Sequence, residues 1–491
     1  MQKKIVIIGA GMSGLTAGIY GLLNGYQVTI VEKHSIVGGL CTGWYRKGYY
    51  LDGCIHWLTG SKEGDSLNDI WKTIHAFTSK EDFINLPTWG QFDHYGTRVT
   101  FGCDLKKTEE EWLKISPVDK KPIKLFFKMV RKIYSFELPL DAPASLLPFK
   151  VKMRFLKDVI RTYPYFFKGM HLSCEDFAKR FKSPALRFAL THVQPGKGNL
   201  YSMMFCYGMI ANGSGGIPKG GSLQFMEKIK NHYLDLGGEI IFNKEITSID
   251  VNDGIVSSIS ARDGSKFYGD YYITCLDSNY VLLNLLGNKY HHKELQYRYE
   301  RPYEHPGPSS VLIYYLIPSH IKMNTPMCFK TARFMVGYKS LDYITIRNYS
   351  YDEIYIKNGR TVLQVLIDQD SNDYIYWENL YKNKAKYLET KQDIALFIEE
   401  RITKYIPELK GKMECLDVST PMTLHRYTNA SRGTYMSYLF NSNRSNLRSG
   451  GRLKGISNLY LAGQYMQSPG GLPLAAASGK FAIQRIKRKD K

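Results

Sequence analysis

The chain has 491 residues, room for two to three domains of ~150 residues each, and a formal net charge of +21. Its 44% hydrophobic and 23% charged residues exclude a disordered or collagen-like chain. Eight cysteines scattered without a C-x-x-C or a close pair exclude a disulfide framework and a zinc site. The aromatic share, 13%, points to a large core or a large apolar cavity. The most apolar stretches, Val281–Leu286 and Val311–Pro318, are far shorter than the ~18 residues a membrane span needs. The first strand is expected from Lys3, which leaves no room for a signal peptide. The expectation is a cytoplasmic protein with a basic surface.

Lys3–Ile8 reads as a strand buried on both faces and runs into Gly9-Ala10-Gly11-Met12-Ser13-Gly14, then a helix to about Leu23. A second strand, Gln27–Val31, ends at Glu32 and Lys33, with Glu32 eighteen residues after Gly14. In a dinucleotide site Gly9 permits the tight turn, Gly11 lets the backbone approach a pyrophosphate, and Gly14 lets helix and strand pack closely. The helix N-terminus offers free N–H groups and the positive end of its dipole to the phosphates. Glu32 can accept hydrogen bonds from a ribose diol, and its charge disfavours a 2′-phosphate there. Gly38-Gly39, seven residues after Val31, permits a second backbone approach. No second strand–G-x-G-x-x-G–helix occurs, so a separate NAD(P) domain is not expected.

Together these elements resemble the extended signature of FAD-binding oxidoreductases, and the resemblance implies FAD as the cofactor. Gly48–Leu58, with Asp52-Gly53 and His56, resembles the phytoene desaturase, carotenoid isomerase and retinol saturase group. Ile217–Leu223 resembles that superfamily's Pro-x-Gly-Gly return into the FAD domain. Ile240–Ile249 and Ile255–Ala261 read as strands flanking a turn at Asn252-Asp253-Gly254, and the resemblance sets the Ile246 backbone against the adenine. Asn458–Ile486 resembles the C-terminal flavin motif: a strand, Leu459–Ala462, then Gly463-Gln464, then a helix opening at Gly471-Leu472-Pro473. A helix N-terminus suits the negative charge of a reduced flavin. Two residues depart from the pattern: Leu40 stands where many relatives have arginine, and Gln464 brings a ribityl hydrogen bond but no charge.

The resemblance implies an α/β fold: a Rossmann-type, glutathione-reductase-like FAD domain with a second, mixed α+β substrate domain. The FAD domain is expected from residues 1–60, 217–287 and 450–491, and the substrate domain from 61–216 and 288–449. Thr361–Asp368 reads as a strand, Thr390–Tyr405 as an amphipathic helix and Ser442–Gly451 as a loop. Between Lys120 and Lys168 twelve basic residues, among them Lys121, Lys124, Lys128, Arg131 and Lys132, face only Glu137, Asp141 and Asp158. Ten aromatics, including Phe126, Phe127, Phe136, Phe149, Phe155, Tyr163, Phe166 and Phe167, are interleaved. This pattern is read as an anionic-membrane contact or a solvated helix face; no nucleic-acid motif accompanies it. The basic tail, Arg485 to Lys491, is compatible with either.

His56 is the candidate proton donor beside the flavin, or else a hydrogen-bonded structural histidine. Cys41 and Cys54 read as small packing residues, and no metal site is expected. The expected activity is an FAD-dependent oxidoreductase that desaturates or saturates carbon–carbon bonds of a hydrophobic isoprenoid or polyene. A flavin-dependent cis–trans isomerase, an FAD amine oxidase, and a non-catalytic lipid carrier like the Rab GDP dissociation inhibitors are alternatives on the same fold. The sequence names no external electron partner.

Overall fold

The computed structural model describes residues 2–490 except 65, 135, 137, 164, 195–197, 325, 440–446 and 448, and omits the Phe166 side chain. Glu137, Lys491, the Phe166 side chain and most of the expected loop Ser442–Gly451 therefore lie outside the described residues.

The N-terminal run forms β1 (Lys4–Ile8), α1 (Met12–Leu23) and β2 (Gln27–Val31). Three later strands, β3 (Glu239–Ile241), β4 (Tyr271–Thr274) and β5 (Leu459–Leu461), complete a parallel sheet in the order β3-β2-β1-β4-β5. Strand alternation sends Ile5 and Ile7 to one face and Val6 and Ile8 to the other. The first face packs on α1, α2 (Gly221–Asp235) and α3 (Leu472–Lys489) through Leu15, Ile229 and Ile483. The second packs on a three-stranded antiparallel sheet through Ile246, Val256 and Ile259. With both faces covered, the near-continuous apolar run of β1 is what such a strand requires.

The stretch Ile240–Ile249, expected as one strand, divides. Glu239–Ile241 joins the parallel sheet beside Glu32, while Ile246–Asn252 pairs with Ile255–Ala261. Asn243, at φ +59°, turns the chain between them. The expected turn at Asp253-Gly254 is present, both residues having positive φ as a tight hairpin turn demands.

A second sheet is mixed, in the order Glu414–Ser419, Pro308–Pro318, Arg360–Asp370, Lys339–Asn348, Met327–Val336, Thr88–His94, Thr97–Gly102. Only the Met327–Val336 and Thr88–His94 pair is parallel. One face, with Ile313, Leu363 and Val365, packs on Ile398 and Ile402 of the helix Lys384–Tyr405. Helices Leu105–Ile115, Lys120–Ile133 and Leu200–Ala211 build a further core around Trp112, Phe126 and Tyr207.

That last core changes the reading of the basic stretch. In Lys120–Ile133 the residues Ile123, Phe126, Phe127, Val130 and Ile133 are buried, and so is Phe136 nearby. These aromatics are core, and the lysines of this helix form a solvated outer face. In the helix Phe149–Thr162 the opposite holds: Phe149, Met153, Leu156 and Ile160, one helix face at spacings of four, three and four, are 77%, 38%, 47% and 64% exposed. Tyr163 and Phe167 continue this exposed apolar surface.

Candidate active site

The ends of β1, β2 and β5 open into a cavity of about 610 Å³ that continues under the second sheet. Gly9, Gly11, Met12 and Ser13 line it at the start of α1, whose N-cap, Gly11, makes no side-chain hydrogen bond. The first amides of α1 are thus left without a side-chain cap at the cavity. Gly11 is extended, with φ −76°, and a Cβ there would meet nothing nearer than Gly38 O at 3.7 Å. The protein itself could accommodate a side chain; the space it would fill is the cradle above the helix N-terminus, as a pyrophosphate needs.

Gly14 does not line the cavity. A Cβ on it would stand 1.9 Å from Gly9 O, so its part is the close packing of α1 on the β1 turn. Ala10 is also withdrawn: its N–H donates to Glu32 Oε2 at 2.7 Å. Glu32 is buried at the tip of β2, lines the cavity, and accepts from the His34 N–H with Oε1 at 2.9 Å. Lys33 lines the same end and donates to Asn429 Oδ1 at 3.1 Å. Gly38, Gly39 and Leu40 form the adjoining wall. The Gly38 N–H donates to Ala10 O at 3.0 Å, which holds the second glycine loop against the first. Ile246 lines the wall from the three-stranded sheet.

The C-terminal motif closes the site. Gly463, Gln464, Gly471, Leu472 and Pro473 all line the cavity. Gln464 bridges its own loop: Oε1 accepts from the Gly471 N–H at 3.1 Å, and Nε2 donates to Tyr435 O at 3.1 Å. The amide expected to face a ribityl hydroxyl thus also holds the entrance to α3. The start of α3 has no side-chain cap, and Leu472 and Leu474 line the cavity there. Two uncapped helix N-termini, a buried ribose-type carboxylate and a glycine cradle fit a flavin dinucleotide.

Asp52 and His56 occupy different layers. Asp52 is fully buried: Oδ2 accepts from the Ser222 N–H at the start of α2 at 2.6 Å and from Tyr355 Oη at 3.1 Å, while Oδ1 accepts from Ser222 Oγ at 2.7 Å and the Cys54 N–H at 2.9 Å. His56 lines the cavity with Nε2 2.9 Å from Gln364 Oε1. The Gln364 amide N donates to Asp52 O and Tyr314 Oη, so Oε1 is the acceptor and the His56 proton sits on Nε2. Burial, and then the positive charge of Arg347, lowers the pKa of His56 to about 3. The residue expected as a proton donor is a neutral imidazole whose N–H is already engaged.

This shift has a stability consequence. The unfolded chain takes a proton on His56 near pH 6.5, whereas the folded chain does not until about 3. The contribution is complete above pH 6.5 and drains as pH falls through that window, by up to ~1.4 kcal/mol per pH unit. Urea midpoints at about pH 7 and pH 5 should therefore lie closer together in His56→Asn than in the native chain. Equal spacing in the two proteins would show that His56 is charged in the fold.

Sequence reasoning passed over the second sheet's contribution. Ser310, Leu312, Thr345, Arg347, Leu366 and Asp368 line the cavity from its inner face. The signal was available in Thr361–Asp368: with Leu363, Val365 and Ile367 on the core side, period two sends Gln364, Leu366 and Asp368 to the other face. Cys41 and Cys54, thirteen residues apart, meet in the cavity wall, and burial, with Cys54 next to it, pushes the Cys41 thiol well up. Among the described residues no group of three or more His, Cys, Asp or Glu could hold a metal ion.

The profile of the family described as flavin containing amine oxidoreductase matches residues 12–487. The chain belongs to this family. It is an FAD-dependent oxidoreductase with an α/β flavin-binding fold, and its curated relatives include carotenoid desaturases and isomerases. It is 23% identical over 512 residues to prolycopene isomerase 1 of an Oncidium hybrid cultivar, covering 99% of this chain and 84% of the relative. It is 21% identical to the 4,4'-diapophytoene desaturase (4,4'-diapolycopene-forming) of Methylomonas sp, covering 99% of this chain and 96% of that one. An oxidoreductase of Methanosarcina mazei shares the fold, with a TM-score of 0.61 at 17% identity over 98% of this chain and all of the other.

Proposed function

We propose that this family member acts on carbon–carbon bonds of a long hydrophobic isoprenoid or polyene, by desaturation or saturation. The observation that carries this reading is the continuity of the cavity: walls built by the dinucleotide elements run without a break into walls of Trp57, Trp89, Phe92, Phe136, Phe205 and Leu366. Bound FAD supplies the hydride chemistry. The chain's part is to orient the substrate against its apolar walls and exclude water. Neutral His56, locked by Gln364, positions the adjoining wall and does not serve as a resident acid. The residues that would hold FAD are Gly9, Gly11, Met12, Ser13, Glu32, Lys33, Gly38, Gly39, Leu40, Ile246, Gly463, Gln464, Gly471, Leu472 and Pro473, with Ala10 and Gly14 shaping the loop.

Isomerisation is the second reading, supported by the likeness to prolycopene isomerase along nearly the whole chain. One anaerobic experiment separates the two. Under the redox reading, a polyene added to oxidised enzyme bleaches the flavin, or a reduced enzyme reoxidises, and the product differs in mass by two hydrogens. Under the isomerase reading only reduced enzyme acts, and the product keeps its mass. No reaction in either flavin state would sink both.

We assign residues 1–60, 217–287 and 450–491 to the flavin unit and 61–216 and 288–449 to the substrate unit, a division that the strand content of the two sheets supports. We also place a peripheral contact with an anionic membrane on the helix Phe149–Thr162 and its continuation to Phe167, not on Lys120–Ile133. Lys150, Lys152, Arg154, Lys157 and Arg161 accompany the exposed apolar stripe and supply attraction to anionic headgroups. Among the described residues no helix is long and apolar enough to cross a membrane. Binding to phosphatidylglycerol vesicles should fall with salt, should collapse in Phe149→Ser/Ile160→Ser, and should change little in Lys121→Gln/Lys124→Gln. A protein that ignores such vesicles at low salt has only a solvated helix here.

A further inference from the structure

The second sheet's cavity face is apolar through Leu312 and Leu366 but carries a cluster of polar groups at one end. Asp368 lines the cavity there; its Oδ2 accepts from Tyr343 Oη at 2.5 Å, and its Oδ1 is buried without a hydrogen-bond partner. His192 meets the Tyr343 ring edge-on, with centroids 4.3 Å apart. Its Nδ1–H donates to Phe188 O at 2.8 Å, which leaves Nε2 as a lone-pair acceptor with no partner among the described residues. Tyr435 arrives from another segment: its N–H donates to Pro308 O at 3.0 Å, on the strand whose Ser310 pairs in register with Asp368. Its hydroxyl also has no partner among the described residues, and burial together with the nearby Asp368 pushes it far up. His192 and Tyr435 line the cavity as well.

We propose that this cluster is a subsite for the hydroxyl group of an isoprenoid or polyene alcohol, held by Asp368, His192 and Tyr435. The inference rests on the proposed polyene or isoprenoid substrate and narrows it from hydrocarbons to alcohols. Buried polar groups without partners are costly, and a hydrocarbon end would leave all three unmet. A hydroxyl donates to His192 Nε2 or Asp368 and accepts from the Tyr435 O–H. A carbonyl only accepts, and so serves Tyr435 alone. An ammonium only donates, and so leaves the Tyr435 O–H without an acceptor.

The test uses the FAD-loaded enzyme and reads dissociation constants from the perturbed flavin absorbance. The probes are geranylgeraniol, the hydrocarbon with a methyl in place of its hydroxymethyl group, and geranylgeranylamine. The alcohol should bind at least about tenfold tighter than the hydrocarbon, as expected where a site built to bond a hydroxyl meets an analogue lacking it. Asp368→Leu and Tyr435→Phe should each bring that ratio toward one without weakening the hydrocarbon. Far-UV circular dichroism and FAD content report folding, and Tyr435→Phe, which removes a single oxygen, carries the test if Asp368→Leu does not fold. Equal binding of alcohol and hydrocarbon, or a ratio unchanged in both variants, overturns the subsite and leaves the polyene or isoprenoid reading standing. Tighter binding of the amine overturns the hydroxyl assignment. If no probe perturbs the flavin, the substrate reading falls and the subsite with it.

Discussion

Gly11→Val should empty the flavin site while leaving the fold in place. The backbone at Gly11 is extended, a conformation valine favours, and the nearest atom to an added Cβ is an ordinary 3.7 Å away. The isopropyl group would instead occupy the cradle at the start of α1. Loss of at least ~4 kcal/mol of FAD binding, about a thousandfold, follows if the pyrophosphate cannot approach the amides. The native chain should release about one FAD on denaturation, whereas the variant should be purified colourless with an unchanged far-UV spectrum. Its melting temperature should fall only by the stabilisation that bound cofactor supplies. A yellow variant with full FAD content would remove the dinucleotide assignment of Gly9–Gly14. Glu32→Ala should be milder toward FAD but should cost stability, because the Ala10 and His34 N–H groups lose their acceptor.

Asp52→Ala should produce the largest loss of stability among the site residues, ~3–5 kcal/mol, the sum of several buried donors left without an acceptor. The carboxylate joins three parts of the chain: the end of the strand Tyr49–Asp52, the N-terminus of α2 through Ser222, and Tyr355 before the strand Ile356–Lys357. Removing it strands several buried donors at once, each costing about 1–3 kcal/mol in isolation. Urea unfolding followed by tryptophan fluorescence measures the change. Asp52→Asn, which keeps an acceptor but turns N–H groups toward donors, should fall between. A midpoint within about 1 kcal/mol of the native value would mean that Ser222 and its neighbours find other partners. FAD should still bind to folded Asp52→Ala at raised cofactor concentration, which distinguishes it from Gly11→Val.

The dinucleotide half was readable because its chemistry is backbone chemistry. Gly9, Gly11 and Gly14 mark turn, approach and packing by lacking a side chain, and such requirements act over a few consecutive residues. Glu32 and Gly38-Gly39 follow at distances set by one crossover helix. Ile240–Ile249 was misread for the converse reason: its composition suits a single strand, and only the positive φ of Asn243 and the pull of two different sheets divide it. Phe126 and Phe149 show the same limit. Both stand among lysines, yet one is buried against Trp112 and the other is 77% exposed, because burial depends on which neighbour covers a helix face.

By itself the sequence determined the cofactor class, the parallel flavin-binding sheet and the residues that shape its two helix N-termini, because each is encoded locally by turn and strand chemistry. Tertiary structure alone decided that Asp52 is an anchor and His56 a neutral wall residue, since Ser222 and Tyr355 hold the first, and Arg347 and Gln364 act on the second, from 170 to 308 residues away. It likewise brought Asp368, His192 and Tyr435 to one end of the cavity. No spacing rule connects those three. They meet because strand alternation points Asp368 inward while a helix and a returning segment, packed for other reasons, deliver the other two.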